Sequence, residues 1–244
     1  MQVLQYYLNN TLRNFNYVIY SVVTREAIIV DPYDIEAIKA LCEKNDLKIK
    51  YLINTHHHPD HIKDNEKAMK ISGIEYLKLK DKQEFQLSQN EKIRCIDTPG
   101  HTMDHQCFLI INDDKVEGII SGDTIFNAGV GNCKNGGNVD ILFHTISKLN
   151  NELPDEAIIY PSHDYMLTNL KFAKSVETSN LDVDKMILKK KHADDDQSFF
   201  LTTMSEERRV NIFFRAVNGD FEDSSRGREP LEVFRELRSL RDRW

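Results

Sequence analysis

Thr55-His56-His57-His58-Pro59-Asp60-His61 is the stretch on which the reading of this chain turns. His56, His58, Asp60 and His61 supply three imidazoles and a carboxylate within it, more metal-binding capacity than a turn requires. Such nitrogen and oxygen donors suit a borderline divalent ion such as zinc. Two histidines two apart in extended backbone can face one point, and Asp60 and His61 lie one step further on, within reach of a second ion. The histidines are interrupted and internal, unlike a purification tag. A histidine-rich surface loop is the alternative reading of this stretch alone.

The stretch follows an apolar run, residues 49–53, and the same arrangement recurs. Residues 93–96 lead through Asp97-Thr98-Pro99-Gly100 to His101, residues 118–121 through Gly122 to Asp123, and residues 157–160 through Pro161-Ser162 to His163. Short apolar runs bounded by turn residues or charges read as strands, as do residues 17–23, 27–30 and 107–111. Donors at strand ends gather along one edge of a sheet assembly and are held more accurately than donors on free loops. The set suffices for two ions: His56, His58 and His101 for one, Asp60, His61 and His163 for the other. Asp123 can bridge them through its two oxygens. Two divalent ions roughly 3.5–4 Å apart sharing a water or hydroxide make a hydrolytic site.

Helical spacing accompanies the strands. Ile35–Lys44 carries Ile35, Ile38, Leu41 and Cys42 on one face, and residues 62–72 are expected to form a helix stopped at Gly73. Mixed elements indicate an α/β (α+β) fold of more than one layer. From about residue 166 the strand signals stop and charged, helix-favouring sequence takes over. Thr203-Met204-Ser205-Glu206 has capping-box spacing, and Pro230 stands where a first-turn proline belongs. Leu231, Val233, Phe234, Leu237, Leu240 and Trp244 then form one apolar face. Residues 189–196 read as a charged, solvated connector. The chain therefore divides into residues 1–165, which carry the metal donors, and a helical region, residues 166–244.

Composition limits the function. The net charge of −7 argues against a general nucleic-acid binder, and no run approaches the roughly 18 apolar residues of a membrane span. The first residues lack the basic start and apolar run of a signal peptide. Cys42, Cys95, Cys107 and Cys133 form no CxxC pair, so reduced thiols in a cytoplasmic protein are expected, without disulfides or a cysteine-ligated zinc.

In chain order, Thr55-His56-His57-His58-Pro59-Asp60-His61, Pro99-Gly100-His101-Thr102, Gly122-Asp123-Thr124 and Ser162-His163-Asp164-Tyr165 resemble the motifs of the metallo-β-lactamase superfamily. That resemblance implies a four-layer αββα sandwich with metals at one edge, here followed by a C-terminal helical region. Within the superfamily the chain looks like glyoxalase II, the hydroxyacylglutathione hydrolases. The similarity continues through Gly122-Asp123-Thr124-Ile125-Phe126-Asn127-Ala128-Gly129 and Asn169-Leu170-Lys171-Phe172-Ala173. It extends through Met204-Ser205-Glu206-Glu207, Asn211-Ile212-Phe213-Phe214-Arg215 and the ending from Pro230 to Trp244. It implies a cytoplasmic thioesterase with two divalent ions, zinc expected and iron or manganese admissible. The reaction implied is cleavage of S-D-lactoylglutathione, or a related 2-hydroxyacylglutathione, to D-lactate and glutathione. The ligand set implied is His56, His58, Asp60, His61, His101, Asp123 and His163, with Asp60 and Asp123 orienting a bridging hydroxide.

The resemblance also implies that the tail grips the thiol. Arg238 and Arg241 match basic residues that face the glycine carboxylate of glutathione, and Tyr165 matches a pocket tyrosine. A solvated basic stripe and a packing residue are the alternatives. One segment departs. Asn132 stands where the family has a basic residue, and the base has shifted to Lys134. Cys133 reads as a small loop residue, since a bridging hydroxide makes a cysteine nucleophile unnecessary. His57 is expected to point away from the site, and His105 to sit behind it. Asp31 is either a buried support or part of a turn with Pro32. The partner expected is a small-molecule thioester, not nucleic acid or a membrane, and the chain a monomer or weak homo-oligomer. The rival readings are a mononuclear-iron glutathione persulfide dioxygenase, a nuclease and a catalytically dead scaffold.

Overall fold

Side chains of β2 (Phe15–Tyr20) divide between two apolar clusters: Phe15, Tyr17 and Ile19 enter one, Val18 and Tyr20 the other. A period of two with both faces buried marks a strand in a sheet covered on both sides. The computed structural model describes residues 1–71, 73–193, 199–221 and 227–244. In the first sheet β2 lies between β1 (Gln2–Tyr7) and β3 (Glu26–Val30), antiparallel to both. Beyond β3 follow β4 (Lys48–Ile53) and β5 (Glu75–Tyr76), each parallel to its neighbour.

The second sheet has the order β12 (Ile158–Pro161), β9 (Lys115–Gly122), β8 (Gln106–Asn112), β7 (Glu91–Asp97), β6 (Glu84–Ser88). Only the β12–β9 pair in it is parallel. A small hairpin joins β10 (Ile125–Phe126) to β11 (Gly129–Val130). Between the sheets, Tyr17, Ile19, Ile28 and Val30 meet Ile93, Cys95, Phe108 and Ile110. On the outer face of the first sheet, α1 (Ile35–Lys44) packs Ile35, Ile38 and Cys42 against Val18, Ile29 and Leu52. The outer face of the second sheet presents Cys107, Leu109, Ile119 and Ile159 to α4 (Val139–Glu152). The result is the four-layer αββα sandwich.

The regular elements of the tail's described residues are helices: α5 (Met166–Val176), α6 (Leu181–Ala193), α7 (Met204–Val210), α8 (Ile212–Asn218) and α9 (Pro230–Arg241). Leu170, Phe172, Met204, Phe213, Phe214 and Phe234 share one cluster with α4 and the second sheet. The capping box at Thr203 and Glu206 is formed, and Pro230 opens α9. All four cysteines are free. No helix among the described residues is long and apolar enough to cross a membrane.

Three expectations need correction. In place of one helix over residues 62–72 there are two short ones, α2 (Pro59–Ile62) and α3 (Asn65–Met69), and Ser72 lies outside the described residues. Pro59 starts the first helix inside the histidine run. Asp64 then turns the chain: its carboxylate accepts the Ile35 N–H at 3.1 Å and its N–H reaches the Pro32 carbonyl at 2.9 Å. In α9 the apolar face is narrower than its pattern. Val233, Phe234 and Leu237 are buried, but Leu240 and Trp244 are exposed, and Arg238 is buried in their stead. Residues 189–193 finish α6, where Lys190 is buried beside Asp164, and residues 194–196 lie outside the described residues.

Candidate metal centre

The candidate ligands sit beyond the ends of β4, β7, β9 and β12, at one rim of the sandwich, with Asp60 and His61 on the first turn of α2. All seven come together. Ligand atoms of His56, His58 and His101 lie within 4.8 Å of one another, as do those of His56, His61 and Asp123 and those of Asp60, His61 and His163. His58 Nδ1 is 3.0 Å from His56 Nε2 and 3.2 Å from His101 Nε2. A tetrahedral ion with Zn–N bonds of roughly 2.0–2.1 Å separates its ligands by about 3.3 Å, so the spacing matches. Asp123 faces both groups: Oδ2 is 3.4 Å from His101 Nε2, and Oδ1 is 3.3 Å from His163 Nε2 and 3.5 Å from His61 Nε2.

Each imidazole is fixed from behind. His101 Nδ1 donates to the Asn132 carbonyl at 2.6 Å, His58 Nε2 to the Asn135 carbonyl at 3.1 Å, and His163 Nδ1 to the Leu12 carbonyl at 2.8 Å. His61 Nδ1 donates to Asp31 Oδ2 at 2.9 Å, and His56 Nδ1 to the Thr55 hydroxyl at 3.0 Å, which donates in turn to Asp31 at 2.6 Å. The remaining nitrogen of every ring faces the centre, the usual arrangement behind metal-binding histidines. Asp31 is thus a buried support for two of them.

The electrostatics ask for cations. His61 Nε2 and Asp123 Oδ1 are buried without a hydrogen-bond partner among the described residues, a costly state unless something else satisfies them. Burial works against charge on His61, yet Asp123, Asp31 and Asp60 overcome it and raise its pKa to about 9. Burial and the neighbouring imidazoles hold His56 far below the ordinary histidine range and lower His101 as well. Burial would raise Asp123, but the surrounding histidines keep it ionised. The clusters are suited to binding metal ions.

Close packing leaves no room for side chains at two glycines. At Gly122, with φ +53°, a Cβ would lie 2.5 Å from His105 Nε2, and at Gly131 it would lie 2.0 Å from the Asp123 carbonyl oxygen. His105 sits behind the centre as expected, but its Nε2 accepts the Asp123 backbone N–H at 3.1 Å while its ring stacks on His56. His57 points away and pairs with Asp104 at 2.7 Å. Burial pushes the Cys133 thiol up to about 11, so it stays protonated near neutrality.

A pocket beside the centre is lined by Lys134, Tyr165, Arg238 and Arg241, together with Phe126 and Asn169. Tyr165 stacks on His163 with centroids 4.9 Å apart, which joins the pocket to the ligand cluster. Burial and the carboxylates of Asp123 and Asp60 raise its phenol to about 12. Arg241 is half-buried over Phe172 and Trp244. Lys134 is exposed and reaches the Asp242 carbonyl at 3.2 Å. Arg238 is more committed: its guanidinium donates to the Val130 carbonyl at 2.8 Å and the Gly131 carbonyl at 3.2 Å, and pairs with Asp242 at 2.8 Å.

Comparison with known proteins bears on both halves of the chain. Residues 15–86 match the family model described as metallo-beta-lactamase superfamily, and residues 164–244 match that of the hydroxyacylglutathione hydrolase C-terminus. A hydroxyacylglutathione hydrolase from Nitrosococcus oceani is 33% identical, with 100% of each chain covered. The chain belongs to the hydroxyacylglutathione hydrolase family. An Arabidopsis thaliana relative named hydroxyacylglutathione hydrolase cytoplasmic is 29% identical, with 95% of each chain covered. Among solved structures, ETHE1 from Myxococcus xanthus superposes with a TM-score of 0.71 at 19% identity, covering 98% of this chain and 91% of that one. This likeness speaks to the fold.

For this member of the hydroxyacylglutathione hydrolase family, sequence reading missed the partners behind the ligands. Asn14 Nδ2 donates to Asp60 Oδ2 at 2.9 Å. The carbonyls of Leu12, Asn132 and Asn135 serve histidines far away in sequence. A backbone carbonyl carries no side-chain signature, and Asn14 lies in a polar turn that resembles any other.

Proposed function

We propose that this hydroxyacylglutathione hydrolase cleaves S-D-lactoylglutathione, or a related 2-hydroxyacylglutathione, to the free acid and glutathione, using two divalent ions, zinc by expectation. The observation that carries the reading is the convergence of seven donors around two orphaned buried atoms, His61 Nε2 and Asp123 Oδ1. His56, His58 and His101 would hold one ion, Asp60, His61 and His163 the other, and Asp123 both. When bound, such ions lower the pKa of a shared water and polarise the carbonyl under attack. Asp60, steadied by Asn14, and Asp123, steadied through its backbone N–H by His105, orient the nucleophile.

The pocket fits the thiol half of the substrate. Lys134 and Arg241 offer cationic groups to the carboxylates of glutathione, and Arg238 adds a buried positive charge at its floor. Tyr165 keeps its proton and can donate a hydrogen bond. The departing thiolate, whose conjugate acid has a pKa of roughly 8.5, needs no strong acid to leave. We read residues 1–165 as the catalytic part and 166–244 as the part that recognises the thiol. We place the enzyme in the cytoplasm, as a monomer or weak homo-oligomer acting on a small molecule away from nucleic acid and membranes. The net charge of −7 supports this, as does the word cytoplasmic in the Arabidopsis relative's name. The test is thiol release from S-D-lactoylglutathione before and after chelation, with oxygen uptake on glutathione persulfide measured alongside. Chelation should abolish thiol release. Oxygen uptake without thioester hydrolysis would favour the dioxygenase.

A further inference from the structure

Residues 8–14, the loop between β1 and β2, lean on one half of the metal centre. Asn10 and Asn14 clasp each other, with the Asn14 N–H on Asn10 Oδ1 at 3.0 Å and Asn10 Nδ2 on Asn14 Oδ1 at 2.8 Å. That clasp aims Asn14 Nδ2 at Asp60 Oδ2, 2.9 Å away. Two residues earlier, the Leu12 carbonyl accepts His163 Nδ1. Backbone bonds from Phe15 to the Ser162 carbonyl, 2.7 Å, and from Asp164 to the Arg13 carbonyl, 3.0 Å, bracket His163 on both sides.

The loop is pinned where it meets this bracket. Arg13 holds a left-handed backbone, φ +57°, and its Nε donates to the Asp164 carbonyl at 2.9 Å while its guanidinium pairs with the Asp164 carboxylate. Lys190 of α6 reaches the other Asp164 oxygen at 3.0 Å, and both side chains are buried. The other half of the centre is supported elsewhere: His58 and His101 lean on the Asn135 and Asn132 carbonyls after β11. Among the described residues, no hydrogen bond from residues 8–14 reaches His56, His58 or His101.

Building on the two-ion reading above, we infer that the β1–β2 loop, through Asn14 and the Arg13–Asp164–Lys190 cluster, sets the grip of the Asp60–His61–His163 subsite more than that of the other. Asp123, and Asp31 behind both His61 and His56, are common to the two subsites, but the loop's hydrogen bonds to ligands go to Asp60 and His163, so a change in the loop weakens one ion ahead of the other. Asn14, Arg13 and Lys190 are positioning residues that act through Asp60, His163 and Asp164. The tail contributes to this subsite through Lys190 as well as to the substrate pocket.

The test is competition for zinc between the whole protein and a chromophoric chelator, which resolves two binding steps. In Asn14→Ala, one zinc should weaken by about tenfold or more while the other stays within about twofold, since such outer partners are worth roughly 10–100-fold in affinity. Arg13→Asn, which suits a left-handed backbone, should weaken the same step. In a His58→Ala background, which removes a ligand of the other ion, the remaining zinc should weaken again on adding Asn14→Ala. A folding defect would instead weaken both steps together. If the parent binds two zincs and the variants lose both equally, or neither, this inference alone is overturned. A parent that binds a single zinc overturns the two-ion reading and this inference with it.

Discussion

At the scale of single residues, Asp31 has more work than its size suggests. Its carboxylate accepts the Thr55 N–H at 2.8 Å, the Thr55 hydroxyl at 2.6 Å and His61 Nδ1 at 2.9 Å, and so aims His61 directly and His56 through Thr55. Asp31→Ala is expected to weaken zinc binding by about 10–100-fold, measurable by chelator competition with circular dichroism as a check on folding. Cys133→Ser should leave kcat within about threefold of the parent, because a thiol held protonated is a poor nucleophile. A collapse of turnover in that variant would make the cysteine a participant. Arg241→Ala should raise KM by about tenfold with kcat little changed, the signature of lost ground-state binding. At this scale the sequence was legible where chemistry resides in side chains of rare type and tight spacing, as at His56, His58 and His61. Asn14 and the Leu12 carbonyl stayed hidden because their role depends on where the fold carries them.

At the scale of elements, strands with a short apolar run were readable: β2, β3, β4, β7, β8, β9 and β12. β1 and β6 were not, because each mixes polar and apolar residues without an apolar run. The helix expected over residues 62–72 failed because Asp64 spends its carboxylate on the start of α1. Between α7 and the β10–β11 turn lies a contact that pattern alone does not reveal. Buried Glu207 accepts the Ala128 N–H at 2.9 and 3.0 Å, the Thr202 hydroxyl at 2.6 Å and Asn211 Nδ2 at 2.6 Å. Burial raises its pKa from the ordinary 4.5 to about 7, against those hydrogen bonds, which favour the charged form. Between these values the folded chain keeps a proton that the unfolded chain releases, so the stability tied to this group is full below about 4.5 and is lost as pH rises through about 7. Urea denaturation of the parent and Glu207→Gln, at about pH 5 and about pH 8, should show the parent's relative stability falling by up to roughly 3 kcal/mol. A difference independent of pH would contradict this.

At the scale of the whole molecule, the sandwich and its tail form one body around the rim that carries the donors. The residue pattern alone indicated more than one layer; the four-layer order followed from the resemblance of four motifs, taken in sequence order, to a known superfamily. The exposure of Leu240 and Trp244 was not legible, because helical periodicity says which residues share a face but not how far the neighbouring element extends. Ion removal should be felt globally. A ligand that binds only the folded state, present at 1,000 times its Kd, adds about 4 kcal/mol of stability. The melting temperature should therefore fall on chelation and recover with added zinc, as scanning calorimetry would record. The central claim is that seven side chains cage two cations. Anomalous diffraction at the zinc edge from crystals of the zinc-loaded protein tests it most directly. Two peaks are predicted, one among His56, His58 and His101 and one among Asp60, His61 and His163, both touching Asp123. A single peak, or peaks away from these residues, would contradict it.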